Sequence, residues 1–147
     1  YVTMEGNTYK ETSGQGFRML AGYIFGGNES NEKIAMTSPV AMSMDDSTTM
    51  MFMVPSNYEL SDLPKPDDAR VKFKVEPEKY MAAIRFGGWA NDKKIEDHQQ
   101  ELIRLLEKHN IKHFGNFSFF GYNPPYQVAN RRNEVIVEID KASLNGI

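Results

Sequence analysis

Cysteine is absent from the 147 residues, which excludes disulfides, thiolate metal sites and a thiol nucleophile in one step. No run of 18 apolar residues occurs, so no segment reads as a membrane-spanning helix. The net charge of -3 comes without a clustered basic surface, which argues against a nucleic-acid partner. Histidine is scarce, and none precedes His98, so the chain upstream of that position offers no imidazole. The acidic side chains Glu96, Asp97 and Glu101 around His98 lack the His-Glu-x-x-His spacing of a zinc hydrolase, and they read as the solvated face of a helix.

What remains is an ordinary globular composition, 40% hydrophobic and 25% charged, at the length of one domain with a substantial core. The chain starts at Tyr1 without a charged-then-apolar leader. A signal or transit segment removed upstream is compatible with that start, so the sequence implies a soluble protein of open compartment. Six of the nine methionines fall between Met36 and Met53. Such flexible, polarisable side chains serve as core filler or as the lining of an adaptable pocket.

Tyr1 to Glu5 alternates as a short strand that Gly6-Asn7 ends. Thr12 or Ser13 then caps a predicted helix from about Gly14 to Phe25, with Phe17, Leu20, Ala21 and Ile24 as its buried stripe. Gly14, Gly16 and Gly22 weaken it by about 1 kcal/mol each relative to alanine. They point either to close helix-on-sheet contact or to room for a flat ligand. Strands are predicted over Lys33 to Met42 and Thr48 to Val54, turned by Asp45-Asp46-Ser47. Ser56 to Asp68 reads as a solvated crossover loop.

Val71, Phe73 and Val75 alternate with Arg70, Lys72 and Lys74, the pattern of a half-buried strand paired with a second strand over Tyr80 to Phe86. Asn91 or Asp92 caps a long helix to about His109, with Ile95, Leu102 and Leu106 on its apolar side and Asn110 as a left-handed stop. Phe117 to Tyr122 and Asn133 to Ile139 read as the final strands, and His113 as a loop residue. The order strand, helix, strand, strand thus occurs twice. It predicts an α+β fold of two βαββ units in a single domain over residues 1–147, with one further strand expected upstream of Tyr1.

The stretches Gly22-Tyr23-Ile24-Phe25-Gly26-Gly27-Asn28, Lys33-Ile34-Ala35-Met36-Thr37-Ser38-Pro39-Val40, Phe52-Met53-Val54-Pro55, Arg85-Phe86-Gly87-Gly88, Tyr122-Asn123-Pro124-Pro125 and Arg131-Arg132-Asn133-Glu134-Val135 occur in that order. At these spacings the chain resembles the SOUL/heme-binding protein family over nearly its whole length. The resemblance implies a pseudo-twofold pair of βαββ units forming a distorted eight-stranded antiparallel β-barrel flanked by two helices. It also implies binding of heme or a related tetrapyrrole in an apolar groove beside the first helix, with Phe17, Ala21 and Ile24 against the ring and Arg18 near a propionate. Gln127 stands where heme-binding members carry lysine, an amide in place of a cation. The arginines that follow, Arg131 and Arg132, read as structural partners of Glu134 or neighbouring carboxylates.

The vertebrate members are associated with a histidine ligand on or near the first helix, which this chain lacks. His98, at the border of the second helix's apolar stripe, is then the candidate metal ligand, although a polar residue at a buried boundary explains it too. No nucleophile, base and orienting group can be assembled. The sequence therefore reads as a soluble tetrapyrrole-binding carrier or buffer, of unassigned oligomeric state. An enzyme of the same fold acting on a tetrapyrrole or other hydrophobic small molecule, through Glu134 with Tyr23 or Tyr122, is the alternative. A ligand-sensing interaction module is the third reading.

Overall fold

Side-chain caps and apolar spacing set the elements of the protein, whose computed structural model describes residues 1–146. The chain divides into two units, Tyr1–Glu76 and Pro77–Ile147. Each has the predicted order strand, helix, strand, strand.

In the first unit the elements are β1 (Val2–Met4), α1 (Tyr9–Ile24), β2 (Val40–Met44) and β3 (Thr48–Phe52). β3 lies between β1 and β2 and pairs antiparallel with both, so that Met50 stands opposite Val2 on one side and Met42 on the other. Met42, Met50, Val2 and Leu20 form the centre of the buried layer between strands and helix. Of the methionine-rich run, Met42 and Met50 are core, Met44 and Met51 half-buried, and Met36 and Met53 exposed. α1 starts earlier than its apolar stripe suggests, because the Thr8 side chain accepts the Glu11 N–H and caps it there. Thr12, expected as a cap, is instead buried: its hydroxyl donates to the Thr8 carbonyl at 2.7 Å and lies 3.2 Å from the Thr48 hydroxyl, which donates to Gly6 O. That pair of threonines ties the start of the helix to β3.

Two expected strands are shorter or absent. Of Lys33 to Met42 only the end is strand; Lys33 forms a single bridge with Phe25, and the Ile34 N–H bonds back to Ile24 O at 2.8 Å. Val71 to Val75 is not a strand and does not pair with Tyr80 to Phe86. Its backbone is used next to β1: Lys72 N–H donates to Tyr1 O at 2.9 Å, and the Tyr1 amino group donates to Lys72 O at 2.5 Å. The alternation reports side-chain direction only at the start of that stretch, where Val71 is buried, Lys72 exposed and Phe73 half-buried; Val75 is 75% exposed.

The second unit contains β4 (Met81–Gly87), α2 (Asp92–Lys108), β5 (His113–Gly121) and β6 (Arg132–Ile139). β6 is central, antiparallel to β4 and β5, and buried from Asn133 to Val137. Burial on both faces is what a continuous apolar run such as Val135-Ile136-Val137 allows. Asn91 caps α2 through the Lys94 N–H at 2.9 Å, Ile95, Leu102 and Leu106 are buried, and Asn110 takes the left-handed conformation at φ 54°. β5 is longer than expected and includes His113; its register shifts between Phe114 and Ser118, where Gly115 has φ 71°.

The implied eight-stranded barrel is not formed. The described residues give six antiparallel strands, three in each unit: of the seven expected within the chain, residues 71–75 run outside the ladders, and the eighth is the one expected upstream of Tyr1. The α+β class with two helices stands. Among the described residues no helix is long and apolar enough to cross a membrane.

Candidate functional site

The C-terminal half of α1, the segment after it and the end of β3 surround an apolar depression in the first unit. Leu20, Tyr23 and Ile24 form its helical wall, Ile34 to Thr37 and Phe52 to Val54 line it further, and Val71 and Phe73 close it with Tyr1. The enclosed volume is only about 40 Å³, against roughly 300 Å³ or more for a site that buries a drug-sized ligand. Its mouth is broader and apolar, with Met36 41%, Met53 48% and Val54 41% exposed. The Thr37 hydroxyl donates to the Met53 carbonyl, which holds the segment carrying Met36 against the end of β3.

The predicted site residues of this unit take different positions. Ile24 lines the depression, and Phe17 is half-buried with its ring 5.5 Å from that of Phe52, a lining residue. Ala21 is buried, while Arg18 is exposed. Gly16 accounts for close packing: a Cβ there would lie 2.7 Å from Met4 Cε. Gly22 faces open space, with nothing within 4 Å of an added Cβ.

The paired glycines after α1 build the wall behind the depression. Gly26 has φ 113°, and Gly27 N–H bonds Gly22 O at 2.9 Å, an approach so close that a Cβ would sit 2.6 Å from that oxygen. Buried Asn28 then serves as a plug: its Nδ2 donates to Tyr23 O and Glu32 O, and its Oδ1 accepts the Ser30 and Glu32 N–H groups. The crossover loop is strapped to this turn by Glu29 N–H to Lys65 O and Asp67 N–H to Gly27 O. Tyr23 adds a third tie, donating its hydroxyl to Pro64 O at 2.9 Å. Burial, with the negative Glu32 and Tyr58 nearby, pushes the Tyr23 phenol up to about 12. It stays a neutral donor at physiological pH.

In the second unit the motif Arg131-Arg132-Asn133-Glu134 is occupied by structure. Arg131 donates to the carbonyls of Asn123, Pro124 and Gln127, with its guanidinium 4.0 Å from the Trp89 ring centroid. Arg132 pairs with Glu134 at 2.5 Å, and Tyr122 donates to the other Glu134 oxygen at 2.7 Å. Asn133 donates to Gly88 O at 2.8 Å. Burial, then the bond to Glu134, raises the Tyr122 phenol above its ordinary range. With both oxygens of Glu134 engaged and its side chain buried, that carboxylate is already committed to holding this cluster. Gln127 sits in the loop before it, donating to Ala129 O at 3.1 Å.

His98 is half-buried and stacks on Phe86 with ring centroids 4.2 Å apart. Its Nδ1 lies 2.6 Å from Lys94 O; a carbonyl only accepts, so Nδ1 carries a proton, and in the neutral imidazole the lone pair is then on Nε2. This is the tautomer that a metal-ligating histidine adopts when a backbone carbonyl orients it. Among the described residues no group of three or more His, Cys, Asp or Glu side chains is placed to hold a metal ion.

Sequence reasoning singled out the helix stripe and offered the Met36 to Met53 run as a pocket lining, but not Ile34, Val54 or Phe73 as partners in one surface. Their convergence depends on a backbone path without regular periodicity. The signal available was the cluster of exposed apolar residue types beside the glycine pair.

Residues 1–138 match the SOUL heme-binding protein family. The chain is similar to heme-binding protein 1 of Xenopus laevis, 26% identical over 140 residues that cover 90% of this chain and 73% of that protein. It is also similar to heme-binding protein 2 of Mus musculus and of Homo sapiens, each 31% identical over 130 residues covering 82% of this chain and 62% of the relative. With the match spanning both units and the motifs that build their turns, the chain belongs to the SOUL heme-binding protein family.

Proposed function

We propose that this protein binds heme or a related tetrapyrrole and carries or buffers it, the ring lying across the apolar mouth beside α1. The carrying observation is the juxtaposition of Ile24, Ile34, Val54 and the two exposed methionines around one depression. Membership of a heme-binding family and the printed names of the relatives support the ligand class. The lining suits an apolar ring face. The enclosed volume suits a peripheral substituent of the ring and not the ring itself, so the macrocycle rests on the surface with one face toward solvent.

In this reading Phe17, Ala21 and Ile24 shape the helical side, and Arg18 is the cation for a propionate. Gln127, an amide where heme-binding members have lysine, lies in the second unit with its Nε2 donating to Ala129 O, and offers no cation for a propionate. A ring bound beside α1 has no imidazole in its lining; His98, on α2 in the second unit, would be an iron ligand only for a ring bound at that helix instead. Iron, when bound, would supply a Lewis-acid centre open to a donor atom; the protein's own residues would bind the ring face, orient its acid groups and exclude water from one side.

Titration with hemin tests this. A saturable Soret change is expected, weakened about tenfold or more by Val54→Asp, which sets a charge against the ring without disturbing the core. Arg18→Ala is expected to weaken it by a smaller factor. Unsaturable absorbance changes, or equal binding by Val54→Asp, would overturn the groove assignment.

A further inference from the structure

We propose that Trp89 and the loop between β5 and β6 form a docking surface for an anionic lipid bilayer. Every residue involved lies in the second unit, so this surface stands or falls apart from the groove reading. β4 ends at Gly87 opposite Arg132, and β5 ends at Gly121 opposite Asn133, which puts Trp89 and residues 122–131 at the same end of these strands. The most exposed large apolar side chains among the described residues of this unit are here: Tyr126 is 84%, Val128 73% and Trp89 50% exposed. One guanidinium joins them. Arg131 lies 4.0 Å from the Trp89 ring centroid and donates to Pro124 O and Gln127 O, the carbonyls on either side of Tyr126.

Two properties of this end match a bilayer interface. Backbone polar groups resist entry into lipid unless they are bonded internally. In this loop Pro124 and Pro125 have no N–H, and the carbonyls of Asn123, Pro124 and Gln127 accept from Arg131. The Gln127 N–H donates to Pro124 O, and Ala129 O accepts from the Gln127 amide. Apolar side chains at the tip can therefore leave water without taking many unpaired amides with them. The second property is charge. Arg131 lies against the indole, the Lys94 ammonium donates to Trp89 O at 3.1 Å, and Arg132 stacks on Tyr122 at 4.2 Å with its side chain 43% exposed. Of the carboxylates here, Glu134 is buried and held by Arg132 and Tyr122, and Asp92 is half-buried. The exposed charge at this end is thus positive in a chain whose net charge is -3. Tryptophan and tyrosine favour the headgroup region, which accommodates both an apolar ring and its polar edge. Cations behind an apolar tip complement anionic headgroups. The cations alone would suit a soluble polyanion; the apolar tip selects a bilayer.

Trp89 is the single tryptophan of the chain, so its own emission reports contact at this place. The full chain is added to vesicles of phosphatidylcholine alone, or of phosphatidylcholine and phosphatidylserine in equal parts, and Trp89 emission and cosedimentation are followed. A saturable blue shift with the anionic vesicles is expected, weakened at high salt because exposed charges are screened. The double variant Tyr126→Ser, Val128→Ser is expected to bind them about tenfold more weakly or worse. Its thermal melt is expected to match the wild type, because both side chains are exposed. No shift with either vesicle, or equal binding to the two compositions, would overturn the proposal. So would a double variant that binds anionic vesicles as the wild type does. A shift produced by heparin and not by vesicles would overturn it in favour of a soluble polyanion.

Discussion

Tyr23 and Glu134 show how single side chains in this fold are committed before any ligand arrives. Tyr23 spans from α1 to the crossover loop, and its phenol is held protonated up to about 12. In the unfolded chain it titrates near 10. Between those values the native state binds the extra proton, so its contribution to stability is complete below pH 10 and is lost as pH rises toward 12. Tyr23→Phe is expected to cost about 1 kcal/mol at neutral pH by removing the bond to Pro64 O. It is also expected to flatten the alkaline fall in stability, which urea denaturation at pH 9 to 11.5 measures; an unchanged pH slope would contradict the assignment. Glu134→Ala leaves Arg132 and Tyr122 without their shared acceptor in a partly buried place. A loss of about 2–3 kcal/mol is expected in the same assay, with the larger share recovered by Glu134→Gln if hydrogen bonding rather than charge dominates.

At the scale of elements, α1 carries three glycines whose reasons differ. Gly22→Ala meets nothing within 4 Å and is expected to stabilise by up to about 1 kcal/mol through helix propensity. Gly27→Ala, just past the helix, forces a Cβ to 2.6 Å from a backbone oxygen that has no room to yield. It is expected to destabilise by about 1–3 kcal/mol. Thermal melts of the two variants should therefore move in opposite directions. The sequence alone made α2 legible almost to the residue, because a capping Asn91, a 3.6-period stripe and a left-handed Asn110 all agree. α1 was legible only where it is apolar. Its first turn, Tyr9 to Ser13, is mostly polar and is held by Thr8 and the buried Thr12, contacts with no periodic signature. Val71 to Val75 gives the complementary lesson: its alternation places Val71 inward but not Val75, which is 75% exposed, because a strand also needs a partner for its backbone and here the ladder is replaced by bonds of Val71 to Asp68 and of Lys72 to Tyr1.

At the scale of the molecule, the repeated strand, helix, strand, strand order could be read from the chain, and the count of eight strands could not. The motifs that carry the family resemblance divide in two: the glycine pair and Asn28 form a tight turn behind the depression and Arg131 to Glu134 secure a loop and a strand, whereas Tyr23, Ile24, Ile34 to Thr37 and Phe52 to Val54 line the depression itself. Val71 and Phe73 complete the lining from outside those motifs. Turns demand particular residues while an apolar face accepts many.

The central claim, a tetrapyrrole ring lying over the mouth of the first unit, is tested most directly by methyl NMR during titration with metal-free protoporphyrin, whose ring current shifts nearby methyl signals. Saturable shifts are predicted for Ile24, Ile34, Met36, Met53 and Val54, with the Ile95, Leu102 and Leu106 methyls of α2 unmoved. Shifts confined to the surroundings of His98 and Phe86, or no saturable shift at any methyl, would contradict the account.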